Sequence, residues 1–437
     1  MSRARTNTRR AVAVVAATAV ALSVAACTGS ASTSSTAKSG DTIQVWVLQD
    51  QLDVVQKAAV ARFNNTSAVK VTLTEVASDG YPDKVRTAMG SNKAPDIFFN
   101  WGGGSIRDYV DAKMLLPLDD AAKTNPGIGK AYLPSIFDAG KINNVQYGIP
   151  LRGTQPVVLF TNKKVFADNG LVPPKTWDDV TALIPALTAK GVIPFAVAGA
   201  GTASWTELMW LEYLLDRNAG PKVFADIAAG NWKGWSDPGV LKAAQTVKQL
   251  VDQGAFGKNF GSVNYGAGGT STLVSQGKAA MQLMGTWEYA VQLAESPDFA
   301  KTDLGYVAFP SMPGGKGDPA NVVGNPTNYF SVNAKTKNPE AAIAFLNALS
   351  TPEYAADLVA HGEVPTTIEA ANVLDKSPDP AFAKFQFKLV SDAPAFQLSW
   401  DQALTPNRAN PLITEIGKLF NGQDTPEQFV AAVSAIK

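Results

Sequence analysis

Between residues 43 and 99 the chain alternates short apolar runs with amphipathic stretches, and this order leaves few folds open. Ile43 to Leu48 is a β-type run introduced by Asp41-Thr42. Leu52 to Phe63 then places apolar residues at 52, 55, 59, 60 and 63, which is helical spacing. Val69 to Thr74 alternates with period two. Pro82 to Met89 is helical and closed by Gly90, and Asp96 to Phe99 is a brief buried strand. Strand–helix–strand–helix–strand predicts an α/β fold with a largely parallel sheet. Ligands in such sheets bind in the loops after the strands, at their carboxyl ends. That rule singles out Asp50 and Gln51 after the first strand, and Asn100 and Trp101 after the third.

A second block of the same character follows. Pro156 to Phe160, Ala279 to Met284, Tyr306 to Phe309 and Tyr329 to Val332 read as strands. Helices are expected from Thr176, which precedes two acids, over Thr206 to Leu215, Leu241 to Val251 and Pro339 to Leu349, and through the C-terminal third. The last opens on Thr425-Pro-Glu-Gln, a cap followed by Pro in the first turn.

Composition excludes several functions. In 437 residues there are 38 Lys and Arg against 38 Asp and Glu, so no basic stripe is available for nucleic acid. One Cys rules out a disulfide framework, and one His, His361, argues against a zinc site or a Ser-His-Asp triad. Gly199-Ala-Gly201 and Gly266-Ala-Gly-Gly269 lack the spacing and the Lys of a phosphate loop. No cofactor is expected.

The amino terminus reads as an address. Arg3, Arg5, Arg9 and Arg10 precede an apolar run from Ala11 to Ala26 that suits a signal segment. The run ends at Val24-Ala25-Ala26-Cys27, which resembles a bacterial lipobox, so residues 1–27 are expected to be a lipoprotein signal ending at a lipidated Cys27. Arg9-Arg10 leaves the export route open. Residues 28–40 are rich in Thr, Ser, Ala and Gly and are expected to form a flexible tether.

Five stretches together resemble one family. They are 41–63 (DTIQVWVLQDQLDVVQKAAVARF), 94–104 (APDIFFNWGGG), 147–166 (YGIPLRGTQPVVLFTNKKVF), 276–289 (QGKAAMQLMGTWEY) and 338–353 (NPEAAIAFLNALSTPE). In this order they are similar to the extracellular solute-binding proteins of ABC importers, in the carbohydrate-binding branch. The resemblance covers nearly all of 41–437 and implies two α/β lobes joined by crossing segments around a ligand cleft. It places the crossings near 152–154, 305–306 and 337–338. The N-lobe would then be 41–153 plus 306–337, and the C-lobe 154–305 plus 338–437. It also implies a monomer at the extracellular face of the membrane, held by its lipid and handing a di- or oligosaccharide to permease subunits.

A sugar offers apolar ring faces and a rim of hydroxyls, so its site needs aromatic platforms for the faces and planar polar groups that meet adjacent hydroxyls, with every buried polar group satisfied. Trp287, in the Gly-x-Trp that the resemblance associates with stacking, leads the candidates, followed by Trp101 and Trp205. Polar candidates are Asp50, Gln51, Asn100, Arg152, Asn325, Asn328, Glu207, Glu288, Asp401 and Arg408. A xylo-oligosaccharide such as xylobiose is the favoured ligand, with cello- and chito-oligosaccharides as alternatives. A lipid-anchored glycoside hydrolase is the rival from another class. It would need two carboxylates about 5–9 Å apart across the cleft, for which Glu207 and Glu288 are available.

Overall fold

The computed structural model describes residues 42–78 and 80–436. The signal segment, Cys27 and the 28–40 tether lie outside the described residues. None of the helices among the described residues is long and apolar enough to cross a membrane.

Two mixed sheets organise the chain. In the first, Thr42–Gln49 pairs in parallel with Lys70–Ala77 on one side and with Ile97–Asn100 on the other. Tyr329–Val332 then adds antiparallel to Ile97–Asn100, and Ile149–Pro150 completes the sheet. In the second, Gln155–Asn162 is central. It runs antiparallel to Ala279–Gly285, Leu304–Val307 and Val322–Asn325, while Ile193–Ala196 and Phe396–Leu398 form the edges. All eight residues of Gln155–Asn162 are buried, as a strand covered on both faces requires.

Local chemistry sets the helix starts. Thr176 accepts from the Asp179 amide while the Asp179 carboxylate accepts from the Thr176 amide, a reciprocal cap that opens the helix Trp177–Thr188. Thr425 and Gln428 do the same for Pro426–Ser434. Asn162 ends the central strand and caps the next helix by accepting from the Val165 amide at 2.9 Å.

Pairing and packing move two of the expected lobe boundaries. Leu304–Val307 and Val322–Asn325 are strands of the second sheet, so 306–325 does not belong with the first lobe as the sequence reading had it. The chain returns to the first sheet only through 326–328. The helices Pro339–Ala348 and Pro352–Ala360, expected in the second lobe, bury Phe345, Leu346, Tyr354 and Leu358 in the core of the first. Each such side chain contributes about 1.5–3 kcal/mol by leaving water, which ties the helices to that core. The third crossing therefore lies at 361–366.

The three crossings are bonded to one another. The Leu151 amide donates to the Asn328 carbonyl at 2.9 Å, and the Thr154 amide to the Val364 carbonyl at 2.9 Å. Thr327 donates its hydroxyl to the Arg152 carbonyl at 2.8 Å, and Glu363, 4% exposed, accepts from the Gly153 amide at 2.6 Å. Three short connecting segments, the first bonded to each of the other two, make a hinge about which two bodies can turn.

Candidate functional site

A cleft of about 1050 Å³ opens between the sheets, next to this hinge. Its walls come from both lobes. Asp50, Gln51, Asn100 and Trp101 line it from the strand ends of the first sheet, as their positions after the first and third strands predict. Trp205, Trp287, Asn325 and Asp401 line it from the other side, with Arg152 and Asn328 at its base.

The wall from the second lobe is built on Trp287. Gly285 ends its strand, and a Cβ there would fall inside the Trp287 ring. This absence of a side chain lets the indole lie back over the strand end. Its Nε1–H donates to the Tyr265 hydroxyl at 2.7 Å. Tyr265 in turn meets Trp205 edge to face, with ring centroids 4.7 Å apart, and Trp205 lies 6.2 Å from Trp287. Three rings thus hold one another in fixed orientation. Tyr265 was not foreseen, because it stands in the loop before Gly266 with no periodic context.

The opposing wall is Trp101, packed edge to face against Phe99 at 5.1 Å and Tyr81 at 5.8 Å. The three glycines that follow it have a steric reason. Gly102 and Gly103 take positive φ (71° and 54°), and a Cβ at Gly103 or Gly104 would collide with the carbonyls of Gln402 and Leu404. The loop therefore lies directly on Trp400–Ala403, and this contact brings Asp401 and Gln402 to the cleft.

The polar groups divide into satisfied and unsatisfied. Asn100 donates to the Ser331 hydroxyl at 2.9 Å and accepts from the Gly102 amide at 2.9 Å, so it holds the Trp101 loop in place. Arg152, 3% exposed, grips Asp50 through both terminal nitrogens at 2.6 and 2.9 Å, and its guanidinium lies over Phe99. Burial opposes its charge, but the Asp50 carboxylate more than offsets this, and the pKa of Arg152 is raised. Gln51 donates to Glu295 at 2.9 Å, a bond that spans the cleft mouth. By contrast Asn325 Oδ1, Asp401 Oδ1, Gln402 Oε1 and Arg152 Nε have no partner among the described residues. Burial pushes the Asp401 carboxyl up to about 6. These buried polar atoms without partners stand beside the open cleft, where a bound molecule could satisfy them.

Three of the expected contacts are corrected. Glu288 is 0% exposed and accepts from Gln292 at 2.8 Å in the core of the second lobe. One residue along a helix turns the side chain by about 100°, so Glu288 cannot share the face of Trp287. Burial pushes it up to about 7. Arg408 lies over the Trp232 ring, 3.6 Å from its centroid, rather than lining the cleft. Glu207 is likewise 0% exposed and pushed up to about 8 by burial, outside the cleft wall. The pair that a hydrolase would need therefore does not face the cleft. Beyond Asp401, the helix Pro406–Phe420 adds Asn410, Ile413 and Thr414 to the wall, while its Leu412, Ile416 and Leu419 face the core. Its amphipathic period is legible, but not which face meets a cleft.

Comparison with known proteins agrees with this architecture. Residues 47–356 match the bacterial extracellular solute-binding protein family. A multiple sugar-binding protein of Streptococcus mutans is 26% identical over 325 residues, 71% of each chain. A solved structure from work on xylan utilization by Caldanaerobius polysaccharolyticus superposes with a TM-score of 0.82 at 26% identity, covering 90% of this chain and 99% of the other. A chitin oligosaccharide binding protein superposes with a TM-score of 0.81 at 26% identity, covering 90% and 97%. The chain belongs to the bacterial extracellular solute-binding proteins, which makes it a binding protein rather than an enzyme.

Proposed function

We propose that the chain is the oligosaccharide receptor of an ABC importer. It captures a neutral di- or oligosaccharide between its lobes at the outer face of the cell membrane, where a lipid on Cys27 retains it, and delivers the sugar to permease subunits. The observation that carries this reading is the pairing of two aromatic walls, Trp205–Tyr265–Trp287 and Trp101, with the unpartnered oxygens of Asn325, Asp401 and Gln402. The rings suit the apolar faces of pyranoses, and the oxygens suit their hydroxyls. The cleft, at about 1050 Å³, is at the top of the roughly 300–1000 Å³ range of small-molecule sites, which favours more than one ring.

Ligand contacts made to both lobes at once exist only in the closed state, so binding shifts the population toward closure about the hinge. The closed form is what a permease can distinguish from the empty receptor. A xylo-oligosaccharide is the favoured ligand, supported by the likeness to a protein from work on xylan utilization. The equal likeness to a chitin oligosaccharide binder supports a second reading, a chito-oligosaccharide. Calorimetric titration of residues 41–437 with xylobiose, cellobiose, maltose and chitobiose, and with the corresponding trisaccharides, tests the proposal. Heat with at least one is expected. Silence with all of them would overturn the sugar reading, and incorporation of labelled palmitate into wild type but not Cys27→Ser tests the anchor.

A further inference from the structure

The charged side chains of the cleft are unevenly committed. Its three cations are each held by a carboxylate: Arg152 by Asp50, Arg86 by Asp83, and Lys418 by Glu415. On the acidic side, Asp108, Glu295 and Asp401 also line the cleft, and none of them forms an ion pair among the described residues. Five carboxylates, those of Asp50, Asp83, Asp108, Glu295 and Asp401, thus stand against three cations in the wall. Burial raises the Tyr265 pKa most, then Glu288 from outside the cleft, and Asp50 and Glu295 from the cleft wall add smaller contributions in the same direction. Three of the four unpartnered atoms point the same way, since Asn325 Oδ1 (the residue is 4% exposed), Asp401 Oδ1 and Gln402 Oε1 are acceptors, while the fourth, Arg152 Nε, belongs to a guanidinium already held by Asp50.

We infer that the cleft sorts oligosaccharides by charge, taking neutral and amino-bearing rings and rejecting rings that carry a carboxylate. The inference rests on the oligosaccharide reading and narrows it. A uronate entering the cleft would exchange water for acceptors and already paired cations, and a carboxylate removed from water without a partner is strongly disfavoured. A neutral ring brings hydroxyl donors to Asn325, Asp401 and Gln402. A glucosamine ring brings an ammonium to Glu295, Asp108 or Asp401 and gains attraction that salt weakens.

The test uses the wild-type mature chain and two matched pairs of probes by calorimetry. Xylotriose is compared with glucuronosyl-xylotriose, and the N-acetylglucosamine trimer with the glucosamine trimer, at low ionic strength and at about 0.5 M salt. The uronate-bearing sugar is expected to bind at least tenfold more weakly than xylotriose, and the glucosamine trimer to lose affinity as salt rises. Equal binding of the neutral and uronate sugars would overturn the charge inference and leave the oligosaccharide reading standing. If the chain binds only chito-oligosaccharides, a glucosamine trimer that binds more weakly than the acetylated one at low salt would overturn it. Absence of binding by any probe removes both. Glu295→Gln combined with Asp108→Asn should narrow the ratio between xylotriose and its uronate derivative by several fold, and an unchanged ratio would exclude these two carboxylates as its source.

Discussion

Replacing Gly285 with Ala adds one methyl group and probes the aromatic wall without touching a ring. Gly285 does not have positive φ, so Ala meets no backbone strain. Restricting the unfolded chain would by itself stabilise the protein by about 0.4–1 kcal/mol. The new Cβ, however, falls within the Trp287 ring. The indole cannot yield by a small rotation, because its Nε1–H is bonded to Tyr265 at 2.7 Å and Tyr265 is packed against Trp205. Overpacking of this kind costs about 1–3 kcal/mol, and the broken hydrogen bond about 1 kcal/mol more. The steric term exceeds the entropic gain, so a net loss of about 1–3 kcal/mol in stability is expected. Binding should suffer more visibly. A Trp buries about 150–250 Å² in full, and half of that at about 25 cal/mol per Å² gives about 2–3 kcal/mol for the sugar-facing side. The displaced ring should therefore weaken oligosaccharide binding by about 30- to 150-fold. Urea unfolding measures the first effect, and calorimetry on the folded variant the second. A folded Gly285→Ala protein with wild-type affinity and wild-type tryptophan emission would refute the account of how Trp287 is placed.

Other outcomes follow from the same geometry. Arg152→Ala leaves Asp50 without its partner beside the hinge, so a loss of about 3–5 kcal/mol is expected in urea unfolding, as for other broken buried pairs; a loss below 1 kcal/mol would contradict the role given to this pair. Arg408→Ala and Glu288→Gln should leave sugar affinity within about twofold, because neither side chain lines the cleft; a tenfold loss in calorimetry would return either one to the site. Burial pushes Glu207 and Glu212 up to about 8 from an ordinary 4.5. With folded pKa values above the unfolded ones, their contribution to stability is full below about pH 4.5 and is lost as pH rises toward about 8. Glu207→Gln should accordingly flatten the fall in urea midpoint between about pH 5 and about pH 8, by an amount of order 4 kcal/mol at most; an unchanged slope would show that Glu207 is already ionised.

What could be read from the sequence followed how local the cause was. The strands Thr42–Gln49, Lys70–Ala77 and Ile97–Asn100 announce themselves by period and by the residues that bound them, and the loops after two of them reach the cleft. The caps at Thr176 and Thr425 are similarly local. Lobe boundaries are not. Leu304–Val307 reads equally well as a strand of either sheet, and only its pairing with Gln155–Asn162, more than 140 positions away, decides. Glu288 adjoins the leading candidate in sequence but lies on another face of its helix. Tyr265 and the polar face of Pro406–Phe420 reach the cleft through tertiary packing, which leaves no signature in their own segments.

A crystal structure of the mature protein grown with the oligosaccharide that gives the greatest heat tests the central claim most directly. The account predicts a sugar ring face within about 4 Å of Trp287, a second ring toward Trp101, and hydroxyls bonded to Asn325, Asp401 and Gln402. A sugar bound elsewhere, or one held in the cleft without contact to Trp287 and these three residues, would contradict it.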